Sequence, residues 1–208
     1  MDAVAVPRRY RSRLREQQAE QTRRAVVQAA HDLFVANGWA ATGMREVATT
    51  AGVALETVYA HFSSKRGLLR AVADAALVGD DAPVPLAERP EFLAMGNGRR
   101  AARVQAAARL VTAIQLRTGA VLKLLREGAP ADDEIAEMLQ ATRELQRQDV
   151  ATALELILSR PPTTAERDGV WAIVSPEIYL LLIEESGWAP EQYEAWVAAT
   201  LEGVIPRS

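Results

Sequence analysis

Apolar residues return along this chain at intervals of three and four, and nowhere alternate one by one for long enough to mark a strand. From Thr22 the series Val26, Ala29, Ala30, Leu33 and Phe34 predicts a helix, with Gly38 as its stop. Thr42 is placed to cap a short helix over 43–50 with its hydroxyl. Gly52 breaks that helix, and a second short one follows over about 54–60. Ser63 and Ser64 offer another cap, opening a longer amphipathic helix to about residue 78 through Leu68, Leu69, Val72, Ala76 and Leu77. Residues 79–90, GDDAPVPLAERP, hold three prolines and no helical period, and read as a linker.

Beyond the linker the pattern is again helical. A long segment over 98–127 carries Val104, Ala108, Val111, Ile114, Val121 and Leu125 on one side. A turn at 128–130 leads to a helix over 131–159, which Pro161 and Pro162 end. Thr163 with Glu166 makes a capping-box pattern for the next helix, which Pro176 must kink or restart. Pro190 suits the first position of a last helix running through Trp196, Val197, Leu201 and Val204. The expected fold class is all-α. A flexible Arg-rich arm (1–21), whose second half is able to extend the next helix, precedes a compact three-helix domain (22–62). A helical body follows (63–208), with 63–78 as the connecting helix.

Composition agrees: 49% of the 208 residues are apolar but only 5% aromatic, a mixture that favours helices. With no cysteine, disulfides and thiolate metal sites are excluded. Arg8, Arg9, Arg11, Arg13 and Arg15 occupy the place of a signal peptide's apolar stretch, and no run of about 18 apolar residues exists, so a soluble cytoplasmic protein without membrane contact is expected. The net charge of −3 hides an asymmetry. Residues 1–79 carry 11 Lys and Arg against 7 Asp and Glu, whereas residues 80–208 carry 13 against 20. A basic front on an acidic body suits an encounter with a polyanion at one end only. Enzyme chemistry finds little support, because the only histidines are His31 and His61, in different helices. Asp132–Asp133 and Glu184–Glu185 fall at helix ends, where solvated acids are ordinary. No cofactor and no metal are expected.

The stretch AGVALETVYAHFSSK at 51–65 changes the picture most. Two short helices joined by a Gly turn are the layout of a helix-turn-helix. Ala48 is small enough for the second helix to cross closely, Gly52 can take a left-handed conformation, and Val47, Val53 and Val58 are placed to bury the corner. The second helix then offers Leu55, Glu56 and Tyr59 toward a major groove. Leu55 can make only apolar contact there, such as with a thymine methyl. Glu56 can accept from a cytosine amino group, or simply gain from the dipole of a first helical turn. Arg45 can neutralise Glu56 or bond a guanine.

With these residues in place the chain resembles the TetR family of transcriptional regulators over about 22–78. The resemblance rests on the helix ending in Phe34 and Gly38-Trp39, on Thr42, Val47-Ala48 and Ala51-Gly52-Val53, and above all on Thr57-Val58-Tyr59-Ala60-His61-Phe62 with Lys65. The linker and the ending SPEIYLLLIEESGWAPEQYEAW look like one group of actinobacterial-type members. The resemblance implies phosphate-backbone contacts by Thr42, Thr57, Tyr59, His61 and Lys65, joined by free amides at the start of the helix after Ser64. The chain departs from the family in having Ala54 where a capping Ser is common, and Glu56 where Gly is.

A single head reads one half-site, so a homodimer on a palindromic operator in double-stranded DNA is expected. Trp171, Ile178, Leu182, Trp188, Tyr193, Trp196, Val197 and Leu201 make the last two helices more apolar than one monomeric face requires, and they are the expected dimer element. The resemblance also implies a small-molecule effector pocket within about 98–186. Its candidate lining is the polar or soft groups on apolar faces: Thr112, Gln115, Met138, Thr142, Trp171 and Tyr179. The function implied is a ligand-released regulator, by the family's habit a repressor. The alternative is a ligand-sensing or protein-binding helical module whose DNA binding has weakened, as Ala54, Leu55 and Glu56 allow.

Overall fold

The computed structural model describes residues 8–78 and 84–205, and regular structure among them is helical throughout. The chain forms two compact units, Met1–Val72 and Ala73–Ser208, whose boundary falls inside one helix.

In the first unit, α1 (Arg8–Ala41) begins well before Thr22, so residues 8–21 of the expected arm are helical; residues 1–7 lie outside the described residues. Gly38, at φ 80° and ψ 169°, breaks α1 near its end, as its position suggests. Two short helices follow, α2 (Met44–Ala51) and α3 (Leu55–His61), and then α4 (Lys65–Val78). Val26, Ala30, Phe34, Val47, Val58, Leu68 and Leu69 are all at most 1% exposed and form this unit's core. Ser64 takes the Gly67 amide at 3.0 Å, giving α4 its N-cap.

The second unit is built on α6 (Arg100–Gly128), which packs against α7 (Asp133–Leu158) and α10 (Pro190–Val204). Ala106, Ala107 and Ala108 on α6 are buried, and small side chains there let neighbouring helices come near. Caps set most boundaries. Asp132 accepts from the Glu134 and Ile135 amides at 3.1 and 3.3 Å to start α7, and Ser159, left-handed at φ 56°, ends it. Thr163 and Glu166 close the capping box of α8 (Thr164–Ile173), with Arg160 forked onto Glu166 at 2.6 and 3.0 Å. Arg160 and the Thr163 amide hold the Glu166 carboxyl down at about 2. Pro176 restarts the chain as α9 (Pro176–Leu180) under a Ser175 cap, and a π-turn at Leu181–Glu185 follows.

Three arginines of α6 close the C-terminal ends of other helices. Arg100 donates to the carbonyls of Glu202 at 3.1 Å and Ile205 at 2.5 Å, where α10 ends. Arg103 donates to those of Leu156 and Ile157, both at 3.2 Å, at the end of α7. Arg117 donates to Ala76 and Leu77 at 3.2 and 3.4 Å, in the last turn of α4. A helix end leaves carbonyls without partners and a partial negative charge, and a guanidinium answers both. One core contribution has no signature in the apolar pattern: Phe92 of α5 (Pro90–Leu93) and Met95 just after it are each 2% exposed and belong to the core.

Gly119 marks the tightest approach. A Cβ there would lie 3.0 and 3.2 Å from ring atoms of Tyr179, itself buried edge-on against Tyr193 with ring centres 5.0 Å apart. An open helical site would gain about 1 kcal/mol from Gly→Ala. Overpacking costs about 1–3 kcal/mol, and the wedged Tyr179 ring has nowhere to retreat. Gly119→Ala is therefore expected to lower stability by about 1 kcal/mol net, read as a lower midpoint in denaturant unfolding.

Candidate functional site

Each unit holds one candidate site. In the first, α2 ends in a Schellman turn: the Val53 amide donates to Ala48 O at 3.0 Å and the Gly52 amide to Thr49 O at 3.2 Å. Gly52 sits at φ 68°, in the left-handed region that favours glycine. Ala54 precedes α3 with no side-chain cap, so α3 relies on Thr57 and Val58 amides donating to Ala54 O at 3.0 and 3.3 Å. Its inner anchor is Val58, fully buried, and its outer face carries Glu56 and Tyr59, the latter 49% exposed. Arg45 is exposed near the start of α2, while Leu55, Thr57 and His61 are half-buried on α3. This presents a short helix by its outer face, with a phenol, a carboxylate and a guanidinium close to one another in sequence.

Two of the expected phosphate contacts are engaged within the chain. Thr42 does not cap α2, whose N-cap is Gly43. Its hydroxyl is buried and donates to the carbonyls of Leu33 and Gly38, both at 3.0 Å, because α1 ends there with unsatisfied acceptors. The Lys65 ammonium likewise donates to the Trp39 carbonyl and stands 4.3 Å from the centre of the Trp39 ring. Burial lowers its pKa from 10.5. Both residues fasten the corner behind the reading helix. Spacing alone does not reveal this, since their partners lie up to 26 positions away.

In the second unit, α6, α7 and α8 wall a cavity with about 820 Å³ of empty space, its mouth included. The lining is largely aliphatic, including Leu110, Val111, Ile114, Val150 and Ile157. Of the expected lining residues, Gln115 and Trp171 are here, and Thr142 borders an adjacent cavity of about 480 Å³. Thr112, Met138 and Tyr179 line neither: Thr112 donates to Ala108 O at 2.9 Å inside its own helix, and Met138 and Tyr179 are packed in the interior. Asp149 and Gln146, absent from the expected lining, line both cavities. Their only signal was their i, i+3, i+4 relation to Val150, Ala153 and Ile157, which puts polar residues on a helix's apolar face.

The cavity's polar groups are poorly satisfied. Gln115 gives its amide to Val174 O at 2.7 Å, yet its Oε1 is buried with no partner. The Trp171 indole N–H is also buried and unpaired, while Arg147 stacks 4.2 Å from that ring's centre. Burial pushes the Asp149 carboxyl up to about 6 from an ordinary 3.8.

The expected dimer element is also partly internal. Tyr193 and Val197 are fully buried and Leu201 is 2% exposed within the single chain, so these three cannot face a second copy. An apolar stripe on a terminal helix serves its own core first. Trp171 belongs to the cavity. Ile178, Leu182, Trp188 and Trp196 stay half-buried, with Leu181 at 46% and Val204 at 45% exposed among them in sequence.

Residues 26–72 match the family model described as bacterial regulatory proteins, tetR family. The fold is that of a TetR-family transcriptional regulator from Rhodococcus sp., 17% identical at TM-score 0.69, covering 90% of this chain and 100% of that one. A TetR-family member from Streptomyces coelicolor A3 is 18% identical at TM-score 0.63, covering 89% and 99%. The multidrug binding protein EbrR, in complex with imidazole, is 16% identical at TM-score 0.59, covering 89% and 90%. No curated protein sequence matches the chain.

Three outcomes follow from this geometry. Lys65→Ala should destabilise the protein by about 1–2 kcal/mol, through lost cation–π and hydrogen-bond contacts. Tyr59→Ala, on an exposed face, should stay within about 0.5 kcal/mol of wild type in the same unfolding assay. For Asp149, the folded pKa of about 6 lies above the unfolded 3.8, so the folded chain holds a proton that the unfolded chain has released. The stability Asp149 contributes is full below that window and falls as pH rises through it. Unfolding at about pH 4 and about pH 7 should show Asp149→Asn gaining on wild type at the higher pH.

Proposed function

We propose that this chain, whose residues 26–72 match the family model of bacterial regulatory proteins, tetR family, is a member of that family and a cytoplasmic, homodimeric transcriptional regulator released from a palindromic operator by a small-molecule effector. The observation that carries the reading is the outward face of α3 behind a Schellman turn at Gly52, in a domain that matches the family. Arg45, Leu55, Glu56, Thr57, Tyr59 and His61 are the proposed DNA contacts. Amides at the start of α4 add a phosphate site. Thr42 and Lys65 support this face from behind. Repression is the simplest regulatory mode, because a bound dimer occludes the DNA it covers.

Ile178, Leu182, Trp188 and Trp196, joined by Leu181 and Val204, are the proposed dimer surface. The cavity of the second unit is the proposed effector site. Leu77 of α4 lines it, and the same helix contributes Leu68 and Leu69 to the core of the first unit. A ligand that prefers one packing around Leu77 would shift α4 and with it the presentation of α3. The coupling equals the ligand's preference between the two states.

Selection of duplexes from a random DNA library at two salt concentrations tests this. An enriched palindrome, with affinity falling steeply as salt rises, is expected. Tyr59→Phe should weaken binding to all sequences, by roughly tenfold or more for one lost phosphate contact, whereas Glu56→Ala should change preference among sequences. The second reading is a sensing module that has lost DNA, favoured by the uncapped α3 and the internal commitment of Thr42 and Lys65. Absence of binding at either salt would select it.

A further inference from the structure

The cavity's few polar groups define the chemistry of what it takes. Gln115 is 95% buried, being 5% exposed, and because its amide nitrogen is committed to a carbonyl, the unpaired atom is an acceptor. Trp171, one helix over, offers an unpaired donor. Asp149, on the third wall, is half-buried at the junction of the two cavities, with Leu77 and Gln146 as the other shared lining residues. Among the described residues no cation lines either cavity, and Asp74, the other acid among them, has a partner of its own. Arg147 follows the helix outward and stacks on Trp171 instead. Apart from the neutral polar residues Gln146, Ser175, Thr118 and Thr142, the remaining described lining is aliphatic and aromatic, so an ionised carboxylate here is partly desolvated and lacks a counter-charge among them.

A bound anion would be repelled by Asp149, and a purely apolar ligand would leave acceptor, donor and carboxylate unmet. A metal ion is a poor fit, because among the described residues no group of three or more acids or histidines could hold one. A protonated amine on an apolar body answers the whole set. It donates to Asp149 as a charge-assisted pair, and such a pair is strongest where water is excluded.

Resting on the reading of this cavity as the effector site, we propose that the effector is an amphiphilic organic cation, its protonated amine held by Asp149 at the junction of the two cavities, its apolar body filling the larger one, and its polar substituents meeting Gln115 and Trp171. The same carboxylate then discriminates against fatty acids and other apolar anions.

Calorimetric titration of the full chain at about pH 8, where Asp149 is ionised, tests this with three probes of one skeleton: naphthylethylamine, naphthylethanol and naphthylacetate. The amine should bind at least about tenfold more tightly than the alcohol, and the carboxylate most weakly. Asp149→Asn should bring amine and alcohol to equal affinity while leaving the alcohol unchanged, which also shows that the variant keeps its cavity. Equal binding of amine and alcohol to the wild type would overturn the proposed ligand class and leave the effector site standing. So would a preference that survives in Asp149→Asn. Failure of all three probes to bind would overturn both.

Discussion

The C-terminal unit depends on one arrangement: guanidinium groups along α6 placed against the open carbonyl ends of other helices. Arg100 meets the end of α10, Arg103 the end of α7 and Arg117 the last turn of α4. Each contact answers acceptors that would otherwise lack donors. Apolar packing has no direction of its own and permits helices to slide; a fork of N–H donors on a helix terminus does not. The arginines thus fix where α7 and α10 stop along α6. Residues of both helices and of α6 wall the cavity, so its dimensions follow from those stops.

The N-terminal unit uses the same economy at a smaller scale. The end of α1 collects Thr42 and Lys65, each donating to its terminal carbonyls. The corner between α2 and α3 is closed by backbone alone at Gly52 and Val53. Because these groups are satisfied from behind, the face of α3 carrying Glu56 and Tyr59 has no structural duty and is left to solvent or a partner. The missing cap at Ala54 weakens a helix of only seven residues, which its packing through Val58 must hold.

The cavity runs against stability. A core of the same shape filled with leucine would spare the burial of Gln115 Oε1, the Trp171 N–H and the Asp149 carboxyl. Retaining unmet polar groups in an apolar space is what a binding site requires and a structural core avoids.

How much was legible differs by level, for a physical reason. Helix existence, the Gly52 turn, the Thr163–Glu166 box and the restart at Pro176 all follow from interactions between residues at most five apart, so the sequence by itself determined them, and with them the helix-turn-helix layout. Phe92 and Met95 escaped because four residues of helix are too few to show a period. The roles of Thr42, Lys65, Tyr193, Val197 and Leu201 were decided only by the tertiary structure. An apolar stripe or a lone hydroxyl does not say whether its partner belongs to the same chain, to another copy or to DNA. The site at Asp149 is the extreme case. Its carboxyl is ordinary in sequence, and only the arrival of α6, α8 and the end of α4 around it strips part of its water and suits it to the binding role proposed for it.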